Sequence, residues 1–478
     1  MIYQQVIKRF SKKEVVNCGV IGAGYYNTGL IAQEKATPHM HICIVADKKA
    51  DAAYNAYLTA GVTPDKIIFC TNSSDASAAI AAGLYVYTDD AGFMVDLPEI
   101  DVIAEGTGDP EAACRYCLSA ISHGKHVVAI TKGMDSAVGP ILKKLADDRN
   151  VVYTQADGDQ PALLIAMVEW ARLAGLKVLS AGKARDGEYL LDEQHNSVYL
   201  IADEVCHRED VSVTISPKDM EYLKMIPEGR AEEYIKKRAK ILDGLPKTGD
   251  YDLCELTIMA NATGLKPPTP RTTRATLRIT ELPVAYCPQS EGGLYHEEGI
   301  IDVCTNLRRP DESGMGGGMY LVVKADNPYS QHILATKGQI PNYNNSAVVL
   351  YRPWHLCGVE TNISVICAGL LGTATGAARY LPRYDLVKSA VTDIKKGERF
   401  RGDRDERMEA SIIPAAGMAP ESPVPAHMLN GNTASRDIKA GELITYSMVD
   451  RPEHSTLWEL RKLQEETFGL MPAPPVNE

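Results

Sequence analysis

The stretch Val15-Val16-Asn17-Cys18-Gly19-Val20-Ile21-Gly22-Ala23-Gly24-Tyr25-Tyr26-Asn27-Thr28-Gly29 constrains this chain more than any other, because an apolar run ends in Gly-Ala-Gly and opens into a helical pattern. It reads as a buried strand, a tight turn and a helix start, where backbone amides approach a diphosphate at the positive helix end. Gly22, Ala23, Gly24, Tyr25, Tyr26 and Asn27 are thereby the candidate diphosphate residues. The third glycine of GxGxxG is missing: Asn27 stands there, and Gly29 comes two residues late. A second apolar run, His41 to Ala46, ends in Asp47 about twenty residues on, where a carboxylate accepts the adenosine ribose hydroxyls. Without that acid the motif would be an ordinary strand, turn and helix.

Further apolar runs at Lys66–Cys70, Asp101–Glu105, Lys125–Ile130 and Val151–Tyr153 alternate with helical patterns. That alternation specifies an α/β fold with a doubly wound parallel sheet of the Rossmann type. Gly106, Thr107 and Gly108 follow the strand ending at Glu105, at the level where a dinucleotide lies. Asp47 alone selects NAD by repelling a 2′-phosphate; Lys48 and Lys49 directly after it oppose that repulsion and tilt the reading toward NADP.

Lys132 stands just past the strand His126–Ile130, in the crevice where a nicotinamide belongs. There its amine would polarise a substrate oxygen, with burial lowering its pKa; the bland alternative is a lysine snorkelling at a strand end. Lys183, Arg185 and Asp186 end the run Leu176–Ala181. Two cations and a carboxylate suit an oxygen-rich anion: Lys183 polarises an oxygen, Arg185 clamps the anion and Asp186 moves a proton, unless the group is a solvated turn. Asp157 and Asp159 could help hold Mg2+ or Mn2+, or cap the helix that follows. His355 is a candidate acid, base or substrate ligand, or a satisfied core histidine.

The 478 residues, 45% hydrophobic and 23% charged, allow two or three domains. A net charge of -12, with no isolated basic stretch, argues against nucleic acid as a partner. No run approaches eighteen uninterrupted apolar residues and the first residues hold no apolar signal core, so no membrane association and a cytoplasmic location are expected. Eleven scattered cysteines suit a reducing compartment. Cys114 and Cys117 lie at helical spacing without a second pair, which fits helix packing better than metal or redox duty.

Val391-Thr-Asp-Ile-Lys-Lys-Gly-Glu-Arg-Phe400 is echoed by Ser435-Arg-Asp-Ile-Lys-Ala-Gly-Glu-Leu-Ile444. These paired turns resemble the SAF (β-clip) domain, over roughly residues 385–450. With Thr131-Lys132 after the strand and the polar entry Tyr153-Thr-Gln-Ala-Asp157-Gly-Asp159-Gln-Pro161, the chain resembles the homoserine dehydrogenase superfamily. It departs from that family's Gly-Ile-Leu-Asn-Gly-Thr signature at Ala181–Glu188, and Tyr251 and Glu255 stand where the catalytic Asp and Lys align, so homoserine is not the expected substrate. The order of segments, together with Leu350-Tyr-Arg-Pro-Trp-His-Leu-Cys-Gly-Val-Glu360, is similar to homoserine-dehydrogenase-related proteins with a C-terminal SAF domain, including 1-deoxy-D-xylulose-5-phosphate reductoisomerase-like enzymes.

This resemblance implies a Rossmann domain at 1–153, an α+β catalytic and dimerisation domain at 154–384, a β-rich SAF domain at 385–450, and a docking helix and tail at 451–478. It implies an NAD(P)-dependent oxidoreductase acting on a small polyhydroxylated anion, a sugar phosphate or sugar acid, with hydride transfer optionally coupled to isomerisation. A homodimer or higher homo-oligomer is expected, and reductoisomerase members imply a divalent cation. The reading from another class is a carbohydrate-binding or assembly module with a degenerate nucleotide domain and no turnover.

Overall fold

The computed structural model describes residues 8, 14–201, 211–246, 249–402 and 405–473. They belong to two compact units, residues 1–162 with 356–478, and residues 163–355.

The first unit is built on seven parallel strands: β1 (Val16–Ile21), β2 (Met40–Ala46), β3 (Ile67–Phe69), β4 (Tyr85–Thr88), β5 (Val102–Glu105), β6 (His126–Ala129) and β7 (Tyr153–Gln155). Their order is β3-β4-β2-β1-β5-β6-β7. β1 pairs with both β2 and β5, so the winding reverses there and a crevice opens at the carboxyl ends of the central strands. β1 and β2 are buried almost throughout, as strands covered on both faces must be. The Rossmann-type expectation holds; β4 was not anticipated, its Tyr-Val-Tyr-Thr being half-polar and only four residues long.

Five helices connect these strands: α1 (Tyr25–Ala32), α2 (Ala50–Thr59), α3 (Ser73–Ala81), α4 (Pro110–Ser122) and α5 (Lys132–Asp148). α4 shows the local logic. Asp109 accepts from Ala112 N at 3.0 Å as its cap, Pro110 occupies the first turn where no N–H is needed, and Gly124 at φ +73 turns the chain into β6. Cys114 and Cys117 lie in the core, their thiols pushed well up by burial, which suits packing.

α5 contains Pro140, which lacks the N–H that a helix interior requires. Gln464, on the C-terminal helix Thr456–Phe468, bridges this interruption: its amide donates to Ala137 O at 3.0 Å and accepts from Ile141 N at 3.1 Å. Arg461 of that helix makes a bidentate pair with buried Asp385 at 2.6 and 2.7 Å, tying the helix to the two-stranded antiparallel sheet Tyr384–Ala390 and Met408–Pro414. The last part of the chain shares one apolar core with the helices of the seven-stranded sheet: Ile394, Phe400, Met428, Ile438 and Trp458 pack with Cys114, Val138 and Ile141.

The repeated turn has a structural meaning. Ile394 N donates to Ile438 O at 2.9 Å and Ile438 N donates to Ile394 O at 2.8 Å. Lys395 pairs with Asp437 at 3.2 Å, and Lys439 pairs with Asp393 at 2.8 Å. The two copies face each other across a local pseudo-two-fold, each supplying what the other accepts.

The second unit is a mixed sheet of nine strands. Its centre is β8 (Leu176–Ala184), parallel to Ile300–Arg308 and antiparallel to Met319–Ala325. The short strand Ala275–Leu277 pairs in parallel with Ile300–Arg308 at the flank of this sheet. The helix Asp250–Thr263 is almost wholly buried and ends at Gly264, φ +75.

Candidate active site

Gly22 has φ +89, and a Cβ there would lie 2.5 Å from Gly106 O, so the first glycine exists to let the β1 and β5 loops cross. A Cβ on Gly24 would meet nothing within 4 Å: open space lies over the start of α1, which no side chain caps. Asn27 replaces the third glycine with a reason of its own. It is buried, and its amide donates to Ile21 O at 3.1 Å and Gly22 O at 2.7 Å, pinning the turn from below. Gly29 takes over the close-approach duty, since a Cβ there would sit 2.8 Å from Cys357 O.

Asp47 sits where the sequence placed it, but its carboxylate also shapes the loop: Oδ2 accepts from Ala23 N and Oδ1 from Lys49 N, both at 2.8 Å. Lys48 is exposed. In the loop after β5, Thr107 N and Oγ1 donate to buried Glu105 at 2.8 and 2.7 Å, and Gly108 N donates to Thr131 Oγ1 at 3.0 Å. Burial holds the Glu105 carboxyl above the usual carboxylate range, despite the Thr107 bonds.

Lys132 begins α5 at the end of β6, with its ammonium 3.0 Å from Asp159 Oδ1 and its side chain largely but not fully buried. The amine that the sequence placed past the strand end is half of an ion pair. Asp159 Oδ1 also accepts from Gln160 N at 2.9 Å. Beside it, Tyr26 and Thr361 hydroxyls lie 2.9 Å apart and both donate to Asp157 O, at 3.1 and 2.7 Å. Tyr25, by contrast, is exposed.

Of the two readings of Asp157 and Asp159, the cation site is not formed: no group of three or more His, Cys, Asp or Glu able to hold a metal occurs among the described residues, and the charge beside Asp159 is an ammonium. The residues do not fit Mg2+ or Mn2+.

One titratable group in this unit was missed. Asp135, in the first turn of α5, accepts from Tyr153 OH at 2.7 Å and Gln155 Nε2 at 3.0 Å, and burial pushes it up to about 6 against those bonds. It lies on α5 as one more polar helix residue, and its partners come from β7, so nothing local signals it.

In the second unit Lys183 is fully buried and pairs with Glu255 and, at 2.9 Å, with Asp252 Oδ1. Burial works against the ammonium, but Asp252 and Glu255 outweigh it and hold Lys183 above the usual lysine range. Asp252 Oδ2 also accepts from Gly249 N at 3.1 Å at the helix start. Arg185 is buried and donates to the carbonyls of Pro246 and Asp186. Asp186 and His355 come together: each has a ring or carboxylate atom within 3 Å of the position a Gly317 Cβ would take, and Gly317 has φ +72. A second buried carboxyl, Asp302, accepts from Thr273 Oγ1 at 2.7 Å and Tyr295 OH at 2.9 Å, and burial pushes it up to about 6.

Among the described residues no helix is long and apolar enough to cross a membrane.

Residues 237–361 match the family model for oxidoreductase DRL, catalytic domain. A search of curated proteins finds no match. Similar solved structures include GenD2 from gentamicin A biosynthesis in complex with NAD (16% identity, 36% of this chain and 44% of that one, TM-score 0.26). Others are levoglucosan dehydrogenase with NADH and L-sorbose (18%, 38% and 45%, 0.25) and a putative myo-inositol dehydrogenase from Sinorhizobium meliloti 1021 (11%, 74% and 89%, 0.35). The chain spans under half the length of the first two. The family match covers residues 237–361 alone, and it names no substrate.

Proposed function

We propose that this chain is an NAD(P)-dependent oxidoreductase acting on a small polyhydroxylated anion, a sugar phosphate or sugar acid, with isomerisation as an optional companion of hydride transfer. The observation that carries the reading is the crossing of Gly22 against Gly106, which leaves open space over the uncapped start of α1. The residues present fit a dinucleotide: the α1 amides would hold its diphosphate, and Asp47, already fixed by Ala23 N, would accept from its ribose hydroxyls. A nicotinamide bound there supplies or accepts hydride.

Lys132 is the group for the reacting oxygen. Held by Asp159, its ammonium donates a hydrogen bond to a substrate carbonyl and stabilises the negative charge that grows as hydride arrives. In the second unit, Asp186 and His355 are the acid–base candidates, and the buried, carbonyl-bound Arg185 positions their loop while attracting an anion. Lys48, one residue beyond Asp47 and exposed, favours NADP over NAD.

The test is titration with NADH and NADPH by nicotinamide fluorescence, followed by a panel of sugar phosphates and sugar acids. Lys132→Ala should keep cofactor affinity within about threefold and lose roughly 100- to 10,000-fold in turnover. Near-normal kcat in that variant would remove Lys132 from the chemistry; failure of both nucleotides to bind the parent protein would overturn the whole reading.

A further inference from the structure

The first unit contains a cavity of about 530 Å³ that the sequence did not anticipate. One wall is nucleotide-domain chain: Lys48 after β2, and Thr107, Gly108, Asp109 and Pro110 after β5. The opposite wall comes from the C-terminal part: His427, Met428, Asn430, Asn432, His454 and Trp458. In a doubly wound sheet the loops after the two strands flanking β1 embrace the adenosine half of a dinucleotide.

Resting on the cofactor reading above, we propose that the C-terminal segment 427–458 forms the outer wall of the adenosine subsite, so that adenine and its ribose are enclosed between the nucleotide sheet and the repeat-bearing module. Several observations converge on this. The volume lies within the range of small-molecule sites. Pro110, Met428 and Leu457 supply apolar contact for a base, while Lys48, Asn430 and Asn432 supply polar groups at the rim. The carboxylates of the lining are engaged by protein: Asp109 caps α4, and Glu111 accepts from Ser455 Oγ at 2.6 Å and Thr456 N at 2.8 Å. The Glu111 bonds also fix the wall in place, since they tie the start of the C-terminal helix to α4. His427 is held from behind, its Nδ1 3.1 Å from Ser136 Oγ.

Asn430 is exposed at the rim, so it can be changed without opening the core. The experiment measures binding of adenosine 2′,5′-bisphosphate, 5′-AMP and nicotinamide mononucleotide by calorimetry, to the 478-residue chain and its Asn430→Trp variant. Enclosure predicts that Asn430→Trp, which places an indole in the cavity, weakens both adenosine ligands at least tenfold and leaves nicotinamide mononucleotide unchanged. Photolabelling with 8-azido-adenosine 2′,5′-bisphosphate should mark peptides from 427–458. Unchanged adenosine-ligand affinity in Asn430→Trp, or labelling confined to the nucleotide sheet, overturns the enclosure while NAD(P)H binding leaves the oxidoreductase reading intact. If the parent protein binds no NAD(P)H, the cofactor reading itself fails and the enclosure fails with it.

Discussion

Replacing Lys183 by Met removes the ammonium that pairs with Asp252 and Glu255, at a site where Lys183 and Glu255 are fully buried. At 2.9 Å and an effective dielectric constant of about 20, one such pair is worth about 6 kcal/mol of Coulomb energy, which the desolvation of its ions largely offsets. The loss is therefore far larger than the pair's net worth. Methionine fills most of the volume but leaves two carboxylates facing each other, and breaking a buried pair in this way costs about 3–5 kcal/mol. For a unit of this size that lowers the melting temperature by roughly 6–20 °C. Differential scanning calorimetry at pH 7 reads the effect. A variant melting within about 2 °C of the parent would refute the reading of the Lys183 ion pair as stabilising.

Asp135, at about 6 in the fold against about 3.9 unfolded, makes the protein more stable as pH falls from above 6 toward 4, by up to about 3 kcal/mol. Asp135→Asn, which can still accept from Tyr153 and Gln155, should flatten that slope in urea unfolding. Gln464→Leu leaves Ala137 O and Ile141 N without their bridge and should cost about 1–3 kcal/mol, seen as a lower urea midpoint with an unchanged slope. Gly22→Ala forces a methyl against Gly106 O and a side chain into φ +89, so NAD(P)H affinity should fall at least tenfold in fluorescence titration.

What the sequence showed well was periodic or local. Buried strands read as apolar runs, and the Gly-Ala-Gly turn needs neighbours only a few residues away, so the parallel sheet and its crevice were legible from β1 and β2. Pairings across the chain were not. Lys183 and Glu255 are 72 residues apart, and Gln464 completes a helix 323 residues before it. Asp157 and Asp159, two apart in sequence, left cation binding and helix capping both open, because proximity in sequence does not fix convergence in space. The partner of Asp159 was instead Lys132, brought in by the turn from β6 into α5.

The paired turns at Asp393 and Asp437 have a consequence for how this chain meets other copies of itself. Each copy is self-complementary: the lysine, aspartate and backbone groups it offers are those that the other copy accepts. Nothing in that chemistry distinguishes a partner within the chain from the same segment of a neighbouring molecule. Exchange of one copy for its counterpart on a second chain is thus the competitor that the fold must outweigh during synthesis or refolding. The shared apolar core around Ile394 and Ile438 biases the choice toward the intramolecular pair, because it holds both copies against one sheet at a local concentration no second chain can match.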